Sequence, residues 1–233
     1  MLPTRILQNG ETFRTSIVSW FEKNGRRFPW RETHDPFKIL IAEVTLKLTG
    51  AWKAQRVYEQ LVAKYGTAAR MANADLAELA RAFKPLGLVS RATLLVNIAR
   101  ELNDRFSGNV PKTYDELVSI KGIGRYTANA ILCLAYNQRV PLVDESVSRI
   151  FRRCFGFSTN REAYADKELW HVAQELLPQR MYREYNLGLI DVGALVCKHT
   201  KQRCGDCPIS WTCVYYTAEQ ETANLEVENV SSS

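Results

Sequence analysis

Four cysteines fall within 17 residues near the C-terminus, and they constrain the fold more than any other feature of the chain. In the order C-x6-C-x2-C-x5-C, they are Cys197, Cys204, Cys207 and Cys213. The gaps are short and contain Gly205 and Pro208, so the backbone can bend until all four thiols face one centre. Four thiolates suit a cubane iron-sulfur cluster or a tetrahedral zinc ion. Zinc sites usually have two C-x2-C pairs, and only one pair is present here.

The other two cysteines lie in a different sequence context. Cys133 and Cys154 each sit inside an apolar pattern with helical spacing. A cysteine in that setting usually behaves as a small core residue. We therefore expect both to be buried and to take no part in the cysteine cluster.

Apolar residues recur with the period of an α-helix along most of the chain, and no convincing alternating strand pattern occurs. Phe13, Ile17, Trp20 and Phe21 give one example of this spacing. The sequence therefore predicts an all-α protein. The predicted helices span residues 12–24, 36–48, 52–65, 76–83, 89–106, 113–119, 125–136, 145–156, 165–177 and 181–196.

Composition and charge indicate which class of partner the chain suits. The 233 residues include 31 Lys and Arg against 25 Asp and Glu, for a formal net charge of +6 and a pI of about 9.0. That balance suits a polyanionic partner. No apolar run approaches the roughly 18 residues that span a bilayer, so we expect no membrane contact.

A second motif predicts a phosphate-binding turn. Gly122 and Gly124 are separated by one residue and precede a predicted helix. Such a turn points backbone amides outward at a helix N-terminus, where an anion is favoured. Lys121 and Arg125 add positive charge beside it.

Taken together, residues from about 12 to 216 resemble the iron-sulfur helix-hairpin-helix DNA glycosylases. That family includes endonuclease III, the MutY-type adenine glycosylases and the thymine mismatch glycosylases. The resemblance rests on the hairpin from Gly122 to Gly124, on Val143 and Asp144 about one helix later, and on the cysteine spacing. These enzymes rotate the target nucleotide out of the duplex before they cut its glycosidic bond.

The resemblance implies two helical lobes with the active cleft between them. One lobe is discontinuous, covering residues 1–27 and 138–233, and holds a [4Fe-4S] cluster in its C-terminal loop. The other covers residues 28–137 and contains the helix-hairpin-helix. The implied partner is double-stranded DNA with a mismatched or damaged base, bound by a monomeric protein in the cytoplasm at the nucleoid.

Three residues match the family's catalytic positions. Asp144 corresponds to the essential aspartate, which stabilises the positive charge that develops on the sugar. Its place ahead of a helix also suits an N-cap, where amides and dipole favour the ionised form. Glu43 lies in a mostly apolar stretch and is a candidate for general acid-base catalysis, or for orienting the nucleobase and the attacking water. Tyr126 stands where bifunctional relatives have a lysine, and a phenol forms no Schiff base.

One residue near Asp144 departs from the family pattern. Members commonly have Asn two positions after the aspartate, whereas this chain has Ser146. We expect the shorter hydroxyl to bond to Asp144 or to the backbone, in contact with the DNA site.

Several positions indicate which base is removed. Adenine glycosylases place a Glu on the helix before the first cluster cysteine, and the matching residue here is Leu187. Only 20 residues follow Cys213, and the C-terminal domain that reads oxidised guanine does not fit in them. These features resemble the thymine mismatch glycosylases, so the expected substrate is T or U opposite G. Further candidate contacts to the substrate are Trp30, Arg31, Leu48, Leu86 and Leu88.

Alternatives remain within and outside the enzymes. The enzyme alternatives are a glycosylase for adenine and one for another modified base. The alternative from a different class is a noncatalytic iron-sulfur DNA-binding protein, for which Ser146 is the sequence hint.

Overall fold

The computed structural model describes residues 4–47, 50–157 and 162–220, with the backbone alone for residues 4–8. Within these ranges the secondary structure is helical, and no strand is formed there, which confirms the all-α prediction. The helices α1 to α12 are Thr4–Asn24, Pro29–Glu32, Pro36–Leu46, Ala51–Tyr65, Ala68–Ala72, Leu76–Phe83, Ser90–Phe106, Tyr114–Ser119, Arg125–Leu134, Glu145–Phe155, Lys167–Leu176 and Tyr182–Leu195. Short 3-10 turns lie at Lys84–Leu86, Ala163–Ala165, Cys204–Asp206 and Ser210–Thr212, and residues 214–220 are again helical.

The predicted helix boundaries agree with the structure to different degrees. α6 spans the predicted residues 76–83, whereas α1 begins eight residues earlier than predicted, at Thr4. Two short helices, α2 and α5, were not predicted, and neither was the helical segment 214–220. α2 has four residues and α5 has five, so neither is long enough to show an amphipathic period.

Contacts divide the chain into two units. The discontinuous unit comprises Met1–Arg26 and Arg139–Ser233, and the continuous unit comprises Arg27–Gln138. The sequence predicts boundaries one residue away, at 27/28 and 137/138.

In the discontinuous unit, α12 packs against α1 and α10, and α1 also contacts α11. Aromatic residues fill its core, with the rings of Phe13 and Phe155 5.6 Å apart and Phe151 next to Phe155. A buried ion pair adds to this packing. The fully buried Asp191 of α12 accepts bonds of 2.7 Å from both the backbone amide and the Nε of Arg26, just after α1. The N- and C-terminal parts of the chain are thereby joined in one unit.

In the continuous unit, α3 buries seven of its 11 residues and contacts α4, α7 and α9. Asp35 caps its N-terminus by accepting from the amides of Phe37 and Lys38 at 3.0 and 3.1 Å, with Pro36 at the first helical position. α7 packs against α5 and α6, and α8 against α9. Across the described ranges, no helix combines the length and the apolar character needed to cross a bilayer.

Candidate active site and cysteine cluster

Asp144 is the N-cap of α10. Its carboxylate accepts a 2.7 Å hydrogen bond from the amide of Val147 and a second bond from the amide of Ser146. Burial of the carboxyl group nevertheless raises its pKa, because desolvation outweighs these two bonds and the nearby charge of Arg149. The expectation that capping favours the ionised form is therefore corrected: the net shift runs toward the protonated form.

Two side chains fix the backbone on either side of Asp144. Asn186 of α12 accepts from the amide of Leu142 at 3.1 Å and donates to the carbonyl of Val140 at 3.0 Å, which fixes the extended segment ahead of α10. Arg149 of α10 donates to the carbonyls of Cys197 and Gly193 at 2.8 and 2.9 Å. Helix α10, which Asp144 caps, is thus bonded through Arg149 to the backbone of Cys197.

Ser146 and Leu187 also lie in the discontinuous unit. Ser146 contributes its backbone amide to Asp144, and its side chain faces Gly193 of α12, where an added Cβ would lie 2.6 Å from the serine Cβ. The glycine therefore permits a close approach of α12 to the start of α10. Leu187 is buried in α12. A role of Ser146 in DNA binding stays a prediction.

The hairpin in the continuous unit joins α8 to α9. Gly122 has a φ of +103°, in the region that favours glycine, and an added Cβ would lie 2.4 Å from Cδ1 of Leu94. Gly124 is the N-cap of α9 and offers no side chain to bond the first amides of that helix. Lys121 is exposed and Arg125 half-buried. The glycine turn before α9 forms as predicted, and its binding of an anion stays a prediction.

Tyr126 and Glu43 lie on two helices that pack together. Tyr126 is the second residue of α9, directly after the hairpin, and is half-buried. Glu43 is half-buried on α3 between Ala42 and Val44, which are both buried. Helices α3 and α9 contact one another, so both candidate residues belong to the same part of this unit.

The remaining substrate candidates occupy different surroundings. Trp30 is buried and stacks on Phe28 at 4.7 Å, and the guanidinium of Arg31 lies 5.4 Å from the Phe28 ring. Leu86 and Leu88 are half-buried on either side of Gly87, in the loop between α6 and α7. Leu48 lies outside the described residues.

The four clustered cysteines line one cavity. It contains about 370 Å³ of empty space, part of it open to solvent, with Ile150, Val196 and Ile209 among its apolar walls. In the part of the chain that the structure describes, no three His, Cys, Asp or Glu side chains meet closely enough to hold a single metal ion. Thiols arranged around a cavity suit a multi-iron group, whose four irons each take one thiolate.

Arg153 organises the loop that carries the first cysteine. Its guanidinium donates to Sγ of Cys197 at 3.5 Å and to the carbonyls of Lys198 and His199 at 2.7 and 3.3 Å. The same group lies 4.9 Å from the ring of Tyr215. Hydrogen bonds to a ligand sulfur and support around the ligand loop are features that orient metal ligands.

The sequence predicts Cys154 as a core residue and gives no indication that it also contacts the cysteine cluster. Cys133 and Cys154 are both buried, as predicted, but Cys154 also lines the cluster cavity. Its thiol donates a hydrogen bond to Sγ of Cys213, and this bond lowers the pKa of Cys213 to about 6. Cys154 is 43 residues before Cys197 in the sequence, so the spacing pattern gave no signal of this contact.

Comparison with known proteins identifies the class. Residues 47–175 match the HhH-GPD superfamily of base excision DNA repair proteins, and the chain belongs to this superfamily. It is 34% identical over 207 residues to a thymine/uracil-DNA glycosylase of Methanothermobacter thermautotrophicus, covering 88% of this chain and 94% of the relative. A thymine/uracil-DNA glycosylase of Pyrobaculum aerophilum is also 34% identical, over 210 residues, covering 88% of this chain and 91% of the relative. The solved structure of a thermostable thymine-DNA glycosylase superposes with a TM-score of 0.85 at 33% identity, covering 91% of this chain and 98% of that chain.

Proposed function

We propose that this chain is a monofunctional DNA glycosylase that extrudes and excises thymine or uracil opposite guanine. The observation that carries the proposal is the match at 34% identity to a thymine/uracil-DNA glycosylase, which extends over 94% of that relative. A match of this extent includes both units. The basic composition and the anion-binding hairpin at Gly122 and Gly124 supply the affinity for DNA phosphates.

Asp144 supplies the catalytic charge. Cleavage of the N-glycosidic bond makes the sugar cationic, and a fixed carboxylate beside it stabilises that transition state. The amides of Val147 and Ser146 fix the carboxylate in one orientation, so little reorganisation accompanies the reaction. Partial desolvation strengthens its attraction for the developing charge.

With Tyr126 at this position, the reaction ends at base release and does not continue to strand cleavage. A lysine at this position attacks the sugar through its amine and leads to strand cleavage, whereas a phenol cannot form the Schiff base. We therefore assign no lyase activity to this route. Glu43, on the helix that packs against α9, orients the base or the attacking water.

Leu187 contributes to the choice of base. It is buried on α12, next to Asn186, and the end of this helix leads to Cys197. An apolar side chain cannot bond to the polar edge of adenine. The position therefore supports a pyrimidine rather than adenine as the excised base.

We assign a [4Fe-4S] cluster to Cys197, Cys204, Cys207 and Cys213, whose thiols line one cavity. When bound, the cluster supplies covalent cross-links between parts of a loop that has little regular structure of its own. The two 3-10 turns, Cys204–Asp206 and Ser210–Thr212, and the bonds from Arg153 hold the ligand loop in shape. Lys198 and Lys201 of this loop are exposed and available to DNA phosphates, whereas the exposed Arg203 pairs with Asp206 at 2.6 Å.

A panel of duplexes tests the proposal. Labelled duplexes carrying T:G, U:G or A opposite oxidised guanine are incubated with the purified protein, and half of each sample is then treated with alkali, which cuts abasic sites. A matched T:A duplex is the control. We expect alkali-dependent cleavage of the T:G and U:G duplexes only. Cleavage confined to the adenine duplex would refute the assigned base, and no cleavage of any duplex would favour a noncatalytic binding protein.

A further inference from the structure

The largest exposed aromatic side chain of the continuous unit is Trp52, in the first turn of α4. About 70% of its surface is exposed. Its ring is nevertheless in edge contact with buried Phe28, at 5.0 Å between ring centres and an interplanar angle of 63°. The exposed part of the indole forgoes the free energy that burial of its apolar surface would give.

A column of buried rings supports this position. Phe28 stacks on Trp30 at 4.7 Å and 7°, and Trp30 meets Tyr58 edge-on at 5.3 Å. These three supporting side chains are 2%, 4% and 3% exposed. Trp52 is therefore the solvent-facing end of an aromatic column, and Trp30, the residue that sequence reasoning placed in the substrate pocket, is a buried support of that column.

Positive charge surrounds the exposed ring. Lys53 follows Trp52 directly, and Arg56 lies four residues on, which places it on the same face of α4. Both side chains are exposed, as is Lys47 before the helix. Aromatic faces set among exposed cations are the surface that binds nucleic acid through base stacking and phosphate contacts. The charges therefore favour a nucleic acid over a neutral partner as the occupant.

We infer that Trp52 stacks on a nucleobase of the DNA that loses its stacking neighbour when the target nucleotide is extruded. The inference rests on the proposed glycosylase function and adds a DNA-binding contact to it. Prior fixation of the indole by Phe28 means that little side-chain freedom is lost on binding. Lys53 and Arg56 contact the flanking phosphates.

The test uses two substitutions that separate stacking from simple coverage of Phe28. Trp52→Leu keeps an apolar cover but has no aromatic face, whereas Trp52→Phe keeps the face. Tyr164→Ala removes an equally exposed aromatic, at 71%, from the discontinuous unit and serves as the matched control. The ligand is a fluorescent duplex with a tetrahydrofuran abasic analogue opposite guanine, and binding is measured by anisotropy at fixed salt. Because that duplex has no base to release, the result does not depend on which base the enzyme excises.

We expect Trp52→Leu to weaken binding roughly 5- to 100-fold, the range for loss of one base-aromatic stack, with Trp52→Phe and Tyr164→Ala close to wild type. The dependence of affinity on salt should be unchanged in Trp52→Leu, because no charge is removed, and shallower by about one phosphate in Lys53→Ala. Wild-type affinity in Trp52→Leu, or equal losses in the Leu and Phe variants, would overturn the inference. Melting curves of each variant exclude unfolding as the cause of a loss.

Discussion

Replacing Asp191 by Asn tests how the two terminal parts of the chain are held together. Asp191 is fully buried on α12, and its Oδ1 also lies 2.6 Å from a terminal nitrogen of Arg26. The substitution preserves shape but removes the charge. The guanidinium of Arg26, whose side chain is only 16% exposed, then loses the negative charge of Asp191.

The expected loss follows from that burial. Removing one partner of a buried ion pair destabilises a protein by about 3 to 5 kcal/mol, and the partial exposure of Arg26 places this case near about 3 kcal/mol. For a chain of this size, 1 kcal/mol corresponds to roughly 2 to 4 °C, so the melting temperature should fall by roughly 6 to 12 °C.

Thermal unfolding followed by circular dichroism measures the effect, with equal iron content in each sample. Glu11→Gln is the matched control, because Glu11 pairs with Arg14 in the same unit but is 82% exposed, and such pairs contribute little. A change of less than about 1 kcal/mol in Asp191→Asn, within the range of a surface pair, would refute the reasoning.

Three further predictions concern the candidate site. Because burial raises the pKa of Asp144, base release should be lost on acidification at a higher pH than for an ordinary Asp. The stability that this group contributes is present below its unfolded pKa and is lost as pH rises through its raised folded pKa. A rate profile with the acid limb of an ordinary Asp would contradict this. Tyr126→Lys should cleave the strand without alkali and form an adduct with DNA that borohydride traps. Absence of both would mean that residue 126 does not reach the sugar. Gly122→Ala forces a side chain at a φ of +103° against Leu94, so it should lower stability by about 1 to 3 kcal/mol and weaken DNA binding. Gly124→Ala, where an added Cβ meets nothing within 4 Å, is the control for the change in stability.

Local features of the sequence predicted much of the fold. Amphipathic periods predicted α6 and most of the other helices, and the cysteine spacing identified four of the side chains that line the cavity. The glycine pair predicted a turn that the φ of Gly122 reproduces. These features depend on neighbours close in sequence, so their patterns are visible in one chain.

Long-range contacts could not be predicted in the same way. Asp191 looks like an ordinary charged residue in an apolar helix, because its partner Arg26 is 165 residues away. The pKa of Asp144 depends on how deeply packing buries the carboxyl group, which the capping pattern does not show. Trp52 and Cys154 likewise acquire their surroundings from distant residues.

The central claim is that the carboxylate of Asp144 drives hydrolysis of the glycosidic bond. Single-turnover release of thymine from a T:G duplex, compared between wild type and Asp144→Asn, tests it most directly, with duplex affinity measured in parallel. We predict unchanged affinity and a rate at least about 100-fold lower in the variant, as for loss of one electrostatic group at the reacting centre. Equal rates in the two proteins would contradict the mechanism.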